Sequence, residues 1–397
     1  MSIFSNPFLI FALVWLIPLS ILMNFDVAGY GLVWSDPVVP FIFINILIFF
    51  IVYILASIII PTKIYSNKIE AITEAHISIL EKYLNKLFKY WCIGYIIIII
   101  ASGGFPLLWI IVGDPRTYID FGVPSLSGFL NMLRAFLSVS YVFIITRSDL
   151  KKNNSSRKVV FLIITAALLE LARGNATFLL MHLLAMYFML TQLRFKKLVI
   201  FVIALFSFLI VGSAISAMRY GKGLDYLLKQ AIDYGMLESS SSVLFVAFIP
   251  VIVYMCLPII NLNYKLQHLP DMGFELYYLL QSLVPTVIRN FLFEKADYGL
   301  IVDEAHNVSS FFDPIVRDLG TIFCFGFLTF FYFIICFIYI AGRRGSRLLF
   351  FIYPCVYASL ILSFFSMYFL TLVVILYPVP VYFWNKVIKR ITHNPHS

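Results

Sequence analysis

Three arginines lie inside or directly beside apolar runs of the chain and have the chemistry to bind phosphate: Arg173, Arg219 and Arg289. A guanidinium presents its N–H donors in a planar fork that binds phosphate oxygens two at a time. Long basic side chains also anchor helices at a membrane surface, because they reach from apolar surroundings out to water. The residue types therefore predict either an anion-binding site or a set of surface anchors, and both interpretations stay open.

A cluster of candidate proton acceptors follows these arginines at Asp303, Glu304 and His306. Imidazole and carboxylate groups are side chains that commonly transfer protons in catalysis. The letters DEAH in this cluster also occur in helicases, but the chain contains no GxxxxGK[ST] phosphate-binding loop, so the match is coincidental. The same residues would also suit a solvated polar loop.

Composition places these residues in a membrane protein. Of the 397 residues, 62% are hydrophobic and 12% are charged. Soluble proteins carry about 25% charged residues, so this chain has too few polar side chains to cover a water-exposed surface. The sequence predicts an all-α polytopic membrane protein that forms a single domain, residues 1–397. The five cysteines lie in apolar runs and form no CxxC pair, which predicts no disulfide framework, no metal site and no cofactor.

The net charge of +9 is distributed in the manner of a membrane protein and not as a nucleic-acid-binding surface. Five short segments between apolar runs hold 19 of the 29 lysines and arginines but only 4 of the 20 acidic residues. Such an excess of basic residues marks the cytoplasmic side of a membrane protein. The segments are 63–89, 147–158, 194–197, 343–347 and 386–390.

Apolar runs of about 20 residues, the length that crosses a bilayer, predict about 10–12 spans with both termini in the cytoplasm. Residues 159–191 are predicted to form a helical hairpin, because basic segments flank them on both sides. Segment 63–89 has apolar residues at helical spacing and is predicted to be an amphipathic surface helix. The other predicted spans are 7–23, 38–60, 91–112, 126–146, 198–217, 319–341, 348–364 and 367–385.

Residues 218–318 are predicted to form a large periplasmic segment. An amphipathic pattern at 224–232 predicts a helix lying at the membrane interface. The apolar runs 243–260 and 276–293 are both interrupted by proline. They form either two further spans or re-entrant half-helices, and the sequence leaves both open.

The height of Arg173 in the membrane follows from residue counting. Lys158 and Arg173 are 15 residues apart, which is about 22 Å of helix in a hydrocarbon core about 30 Å thick. Arg173 is therefore predicted at the outer headgroup level, and Arg219 is predicted at a similar height. Glu170 lies three residues before Arg173 on the same helix face and is predicted to pair with it. Arg134 lies inside a predicted span, where it either has a function too or forms a structural pair with an acid on a neighbouring helix.

Five groups of residues follow one another along the chain in an order typical of one enzyme family. They are Ser102-Gly103-Gly104-Phe105-Pro106 with Tyr118-Ile119-Asp120-Phe121-Gly122-Val123-Pro124, the Arg173-Gly174 turn, Arg219, Tyr254 with Pro258 and Asn261, and His306-Asn307 with Phe311-Phe312 before Arg317-Asp318-Leu319-Gly320. In these motifs and in its layout, the chain resembles the O-antigen (oligosaccharide repeat-unit) polymerases, the Wzy family. Leu319 departs from the aromatic residue that is commoner in the last motif.

The resemblance implies a glycosyltransferase with a GT-C-like fold in the bacterial inner (cytoplasmic) membrane. Its donor would be a growing glycan on undecaprenyl pyrophosphate, and its acceptor a new repeat unit on the same carrier lipid. The implied partners are these lipid-linked oligosaccharides, membrane lipids and a chain-length regulator protein, with no nucleic acid. The implied site residues are Arg173, Arg219 and Arg289 for the pyrophosphate, His306, Asp303 and Glu304 for the general base, and Arg317 and Asp318 for substrate contact.

Three other functions are compatible with the sequence. An O-antigen ligase uses the same donor but transfers the glycan to lipid A-core. A flippase exports the lipid-linked sugar without chemistry, and a structural membrane protein has no activity of its own. A carrier is expected to show two pseudo-symmetric halves, whereas this chain concentrates polar residues in 218–318, which favours an enzyme.

Overall fold

A computed structural model describes residues 3–27, 29–61, 73–117, 120–148, 152–170, 173–191, 249–269, 274–284, 286–293 and 310–393. This part of the chain is almost entirely helical, and its only β-type pairing is an isolated bridge between Val27 and Tyr30. Its α-helices are α1 (Pro7–Asn24), α2 (Val38–Ile59), α3 (Glu74–Ala101), α4 (Pro106–Val112), α5 (Leu126–Arg147), α6 (Lys152–Ile164), α7 (Arg173–Leu190), α8 (Ile249–His268), α9 (Tyr277–Leu283), α10 (Thr286–Leu292), α11 (Phe312–Arg343), α12 (Arg347–Ile361), α13 (Leu372–Leu376) and α14 (Pro378–His393).

The described chain contains seven helical segments that are long and apolar enough to cross a bilayer. This confirms the prediction of an all-α polytopic membrane protein. Each of the seven corresponds to a predicted span, and the predicted span 198–217 lies outside the described residues. The segments are Pro7–Asn24, Val38–Ile59, Glu74–Val112, Leu126–Arg147, Phe312–Arg343, Arg347–Phe364 and Leu372–Ile391.

An aromatic core joins α2 to α11. Phe41 contacts Phe325, and further along both helices Phe49 stacks on Tyr332 with ring centroids 4.5 Å apart. The two helices therefore run parallel and begin at the same end of the bundle. The hydroxyl of Tyr332 donates to Asn45 Oδ1 at 3.1 Å, so the polar side chains in this buried interface pair with each other, as an interior without water requires.

A second group of helices, α3, α5 and α6, positions the cleft described below. The Tyr141 hydroxyl donates to Asn85 Oδ1 at 3.1 Å, and Lys158 donates to the same oxygen. The indole N–H of Trp91 donates to the Leu130 carbonyl at 3.0 Å. Because the first contacts lie late in α5 and the last lies early in it, α5 runs antiparallel to α3.

One end of the bundle, which we call the basic end, carries the basic segments that the structure describes. Arg344 donates to the carbonyl of Ile60, and Phe143 packs on Phe351 with ring centroids 5.2 Å apart. These contacts bring together the ends of α2, α5 and α11 and the start of α12. The basic residues here include Arg147, Arg157, Lys158, Arg343, Arg344 and Arg347.

The opposite end, which we call the polar end, collects the starts of α2, α5, α7 and α11. The backbone N–H of Val38 donates to Asn263 Oδ1 at 3.3 Å, which joins the start of α2 to the end of α8. Phe178, early in α7, stacks on Tyr368 with ring centroids 5.4 Å apart. The 3₁₀ turn Tyr368–Leu370 also contacts α9, so it lies between α7 and α9.

The predicted surface helix 63–89 is not a separate element. Residues 62–72 lie outside the described part of the chain, and the rest forms the first half of α3. The apolar positions Ile77, Leu80 and Leu84 are buried against the bundle. The helix continues unbroken to Ala101 because no proline or glycine turn interrupts the segment before Ser102.

The described parts of 218–318 show whether each of the two proline-interrupted runs forms a single helix. The first run continues through Pro258 as the single helix α8. The second is divided into α9, which ends at Leu283, and α10, which begins at Thr286, and each has seven residues. Seven residues of helix extend about 10 Å, so neither helix crosses a bilayer alone. The interfacial helix predicted at 224–232 lies outside the described residues.

Candidate functional site

A polar cleft opens between α3, α5 and the end of the α6 segment, in the half of the bundle toward the polar end. Its volume is about 60 Å³, which gives room for a few water molecules or one small polar group. The walls combine amide, hydroxyl, charged and aromatic side chains. They are Tyr95, Ile98, Phe121, Ser127, Leu130, Asn131, Arg134, Glu170 and Asn175.

A buried ion pair forms the inner wall of the cleft. Nη1 of Arg134 donates to Oε2 of Glu170 at 3.2 Å, and Nη2 donates to Oε1. The amide of Asn175 donates to the same Oε2 at 3.3 Å. Arg134 is 3% exposed and Glu170 is 5% exposed. A bidentate guanidinium–carboxylate contact is the strongest form of this pair. Of the two interpretations of Arg134, the structure shows the structural pair with an acid on a neighbouring helix, and it identifies that acid as Glu170.

The pairing of Glu170 with Arg173 stays a prediction, although the regular helix that it assumes is interrupted at Glu170. After Ile164 the chain forms a π-helix, Thr165–Leu169, and Glu170 ends it. A new helix, α7, begins at Arg173. A π-helix changes the number of residues per turn and places the Glu170 carboxylate toward α5. The side chain of Arg173 lies outside the described residues.

Arg116 organises the loop that connects α4 to α5 above the cleft. Its Nη2 is 2.6 Å from Oδ2 of Asp114, and its Nη1 donates to the Ser102 carbonyl at 2.7 Å. The guanidinium also lies 4.5 Å from the ring centroid of Trp109, as a cation–π contact. Hydrogen bonds from the Arg116 side chain and backbone lower the pKa of Asp114 to about 2.

The residues that follow Phe121 shape the mouth of the cleft. The N–H of Gly122 donates to Ser102 Oγ at 3.1 Å, and the N–H of Val123 donates to Ser127 Oγ at 2.8 Å. Gly122 has φ 129°, and a Cβ on this residue would lie 2.6 Å from Ser127 Oγ. Only glycine fits this position, and the turn holds Phe121 on the wall of the cleft.

Arg317 and Asp318, which the resemblance implies as substrate contacts, hold α9 in place. The Asp318 carboxylate accepts hydrogen bonds from the backbone N–H groups of Tyr278 at 3.0 Å and Leu279 at 2.7 Å. These groups belong to the first turn of α9 and have no partner within the helix. The Arg317 guanidinium lies 3.5 Å from the ring centroid of Tyr278. Contact of either residue with substrate stays a prediction.

Gly320 explains how these two residues reach α9. It lies inside α11 with φ 63° and ψ 178°, a backbone conformation that is essentially restricted to glycine. The resulting break separates the first turns of α11, which carry Arg317 and Asp318, from the long apolar remainder. The last residue of the Arg317–Gly320 motif therefore has a conformational reason to be glycine.

A second buried ion pair, between Lys265 and Asp313, joins the end of α8 to the start of α11. Lys265 is 1% exposed and Asp313 is 5% exposed. Sequence reasoning noted Asp313 but missed Lys265 as its partner. The partner could have been predicted by letting the helix continue through Pro258, because this continuation carries Lys265 to the polar end.

The other predicted site residues are distributed as follows. Arg289 lies on α10 and is partly exposed. The backbone of Arg173 begins α7 at the polar end. Sequence reasoning did not identify Tyr95, Asn131 or Asn175 as parts of a site, because each is an ordinary residue of an amphipathic or apolar helix. The predicted residues that lie outside the described part of the chain are Arg219, Asp303, Glu304 and His306.

Within the described ranges, no group of three His, Cys, Asp or Glu side chains is arranged to hold a metal ion. No protein-family model, no curated protein and no solved structure matches this chain.

Proposed function

We propose that this protein is an O-antigen polymerase, which joins undecaprenyl-pyrophosphate-linked oligosaccharide repeat units at the periplasmic face of the bacterial inner membrane. The proposal combines the resemblance of the motifs with one structural observation. The buried Arg134–Glu170 cleft lies beside the start of α7, where Arg173 stands, and away from the basic end of the bundle. This arrangement supports the proposal, because the end of the bundle at which α7 begins is the end that the proposal assigns to the periplasm.

The charge distribution supports this orientation. Basic residues of membrane proteins accumulate on the cytoplasmic side, so the basic end faces the cytoplasm and the polar end faces the periplasm. The N-terminal segment lies at the basic end, because the Tyr353 hydroxyl donates to the Ser5 carbonyl. The last helix, α14, runs back toward the same end, where Trp384 packs against Phe351 with ring centroids 6.3 Å apart. Both termini are then cytoplasmic.

Electrostatics at the polar end suit a pyrophosphate. The starts of α2, α5, α7 and α11 lie here together with the end of α8, and the N–H groups of a helix start favour an anion that lies directly against them. Arg173, Arg219 and Arg289 add guanidinium groups in this proposal. Departure of undecaprenyl pyrophosphate develops negative charge on its phosphate oxygens, and fixed positive groups stabilise that charge in the transition state.

The reaction follows from these roles. A hydroxyl oxygen of the acceptor attacks the anomeric carbon of the donor glycan. The bond from that carbon to the pyrophosphate oxygen breaks, and undecaprenyl pyrophosphate leaves. The hydroxyl proton passes to a general base, His306, Asp303 or Glu304.

Arg134 and Glu170 are positioning residues in this scheme. Asn175 belongs to the first turn of α7, and its amide donates to the Glu170 carboxylate. Arg134 holds that carboxylate from α5. The ion pair therefore fixes where α7 begins and, with it, the backbone of Arg173.

Deletion of the gene tests the proposal through the glycan ladder of lipopolysaccharide on a gel. A polymerase deletion is expected to give lipopolysaccharide that carries a single repeat unit, because ligation continues after polymerisation stops. Complementation with the intact gene restores the ladder. A deletion strain with bare core would indicate a ligase or a flippase, and an unchanged ladder would exclude all three.

A further inference from the structure

Helix α3 carries one exposed face that is basic in its first half and apolar in its second half. Successive residues of this face are three or four positions apart, so they lie on the same side of the helix. In chain order they are Lys82, Lys86, Lys89, Ile93, Ile97 and Ile100. Because the isoleucines belong to a segment that is long and apolar enough to cross a bilayer, they contact lipid tails, and the lysines lie toward the head groups.

Helix α14 repeats this arrangement in the opposite chain direction. Its exposed face is apolar at the start and basic at the end, again with residues three or four positions apart. The face consists of Val379, Tyr382, Lys386 and Arg390. Helix α14 contacts α3. Since α3 begins at the basic end and α14 ends there, the basic parts of the two faces, which we call the basic faces, lie at the same end of neighbouring helices.

The described residues do not neutralise the charge of the basic faces. On α3, Lys82 and Lys86 are four residues apart. Lys386 and Arg390 on α14 have the same spacing, at which like charges repel each other. Glu81, the acid next to Lys82, is 4% exposed and lies on the buried side of α3. Within the described ranges, none of these four basic side chains pairs with an acidic one, so a bound anion would relieve the repulsion.

On each basic face a tyrosine lies beside a lysine, close to the boundary with the apolar part. Nζ of Lys86 lies 6.0 Å from the ring centroid of Tyr90. Nζ of Lys386 lies 4.6 Å from the ring centroid of Tyr382. Tyrosine is enriched at the level of the lipid head groups, because its ring is apolar and its hydroxyl is polar. The two contacts therefore hold the ammonium groups at the depth where lipid phosphates lie.

We infer that the basic faces of α3 and α14 bind an anionic phospholipid in the leaflet at the basic end. The ammonium groups contact the phosphate oxygens of the head group, and the acyl chains lie along the apolar continuation of each face. A free phosphate would use the charge but not the apolar continuation. An acidic protein segment would not extend along residues that face lipid tails. The inference does not depend on the proposed function.

Lipid binding to the purified full-length protein tests this site. Native mass spectrometry from detergent counts the lipids that stay bound when phosphatidylglycerol or phosphatidylcholine with the same acyl chains is added. Phosphatidylglycerol is expected to bind about fivefold more tightly, since one basic residue near an anionic head group contributes about this factor. Inorganic phosphate in large excess should not displace the lipid. Displacement would overturn the lipid assignment and indicate a site for a free anion.

Two triple variants locate the binding. Lys86→Gln, Lys89→Gln and Lys386→Gln together remove three charges from the basic faces. They should weaken the binding of phosphatidylglycerol about 10- to 100-fold. The matched control removes three exposed charges at the same end of the bundle, but on α5, α6 and α11, and should change the binding less than about twofold, because exposed charges are screened by salt. It combines Arg147→Gln, Arg157→Gln and Arg343→Gln.

Substitution by arginine separates a loss of charge from a loss of fold. Lys86→Arg, Lys89→Arg and Lys386→Arg together keep all three charges and should retain the preference for phosphatidylglycerol. Equal binding of the two lipids to the unaltered protein would overturn the site, as would an equal loss in the two glutamine variants. Either result would leave the basic faces to solvent or to an acidic partner protein.

Discussion

Arg134 and Glu170 lie 36 residues apart in the sequence, yet their side chains form a bidentate ion pair inside the bundle. The pair connects α5 to the end of the α6 segment and, through Asn175, to the first turn of α7. Both residues are almost fully buried, so removing either one leaves the charge of the other inside the bundle without water or an opposite charge. Disruption of the pair therefore has consequences for both the fold and the start of α7.

Glu170→Gln is expected to destabilise the protein strongly. The substitution leaves the Arg134 guanidinium buried without a compensating charge. Removing one partner of a buried ion pair costs about 3–5 kcal/mol, which is measured as a decrease in the free energy of unfolding in detergent micelles. The double variant Arg134→Met with Glu170→Leu should recover most of the loss, because no isolated charge remains. A double variant as unstable as Glu170→Gln would contradict this explanation.

Asp318→Ala is expected to loosen α9 without unfolding the bundle. The substitution removes the acceptor of the Tyr278 and Leu279 N–H groups, and loss of a helix cap costs about 1 kcal/mol. Hydrogen exchange followed by mass spectrometry should show faster exchange in peptides that cover 277–283. Asp318→Asn keeps one acceptor oxygen and should show a smaller effect. Equal protection in Asp318→Ala and the unaltered protein would argue against the capping role.

Asp114 is expected to titrate well below an ordinary aspartate. Its pKa in the folded protein is about 2, because Arg116 donates hydrogen bonds to its carboxylate. A pKa below that of the unfolded chain stabilises the loop above about pH 4, and the contribution is lost as the pH falls toward 2. NMR of ¹³C-carboxyl-labelled aspartate measures the titration directly.

Arg116→Gln tests the cause of this shift. The variant should raise the pKa of Asp114 toward about 3.9. Asp120 is the internal control, because hydrogen bonds from the Thr117 backbone and side chain are the main cause of its lowered pKa. Its titration should change little. An unchanged pKa of Asp114 in this variant would remove Arg116 as the cause.

The described spans could be predicted from the sequence because each is an apolar run of sufficient length. The partner of Arg134 could not be identified, since the choice depends on how α5 and α6 pack. The carboxylate of Glu170, which the sequence assigns to Arg173 on a regular helix, contacts Arg134 on α5, and the chain changes from α-helix to π-helix at Thr165–Leu169, just before Glu170. Local residue spacing gives no sign of this change.

The role of Asp318 shows a second limit of sequence reasoning. Its motif marks a position of interest, but the contact with α9 spans 40 residues of sequence. The break at Gly320 that makes this contact possible lies inside an apolar run that otherwise predicts a straight helix. Tertiary contacts of this kind follow from packing and not from periodicity.

Reporter fusions test which end of the bundle faces the cytoplasm. Fusions after Lys89, Lys152 and Arg344 should report a cytoplasmic location, because these residues belong to basic segments. A fusion at Asp313 should report the periplasm, since α11 begins at the polar end. The same rule predicts a cytoplasmic fusion at Lys197 and a periplasmic one at Lys222. A periplasmic result at Lys152 would place the start of α7 on the wrong side for the proposed reaction.

Arg173→Lys tests the proposed pyrophosphate site. Lysine keeps the positive charge but lacks the planar fork that binds two phosphate oxygens at once. Loss of one charge-assisted hydrogen bond should reduce polymerisation about 10- to 100-fold, seen as a shortened glycan ladder at an equal amount of protein. Arg343→Lys, the same change at the basic end, is the control and should leave the ladder intact. If Arg173 only anchors α7 at the membrane surface, lysine would serve equally well. A full ladder in Arg173→Lys would then remove the physical argument for binding pyrophosphate at the start of α7.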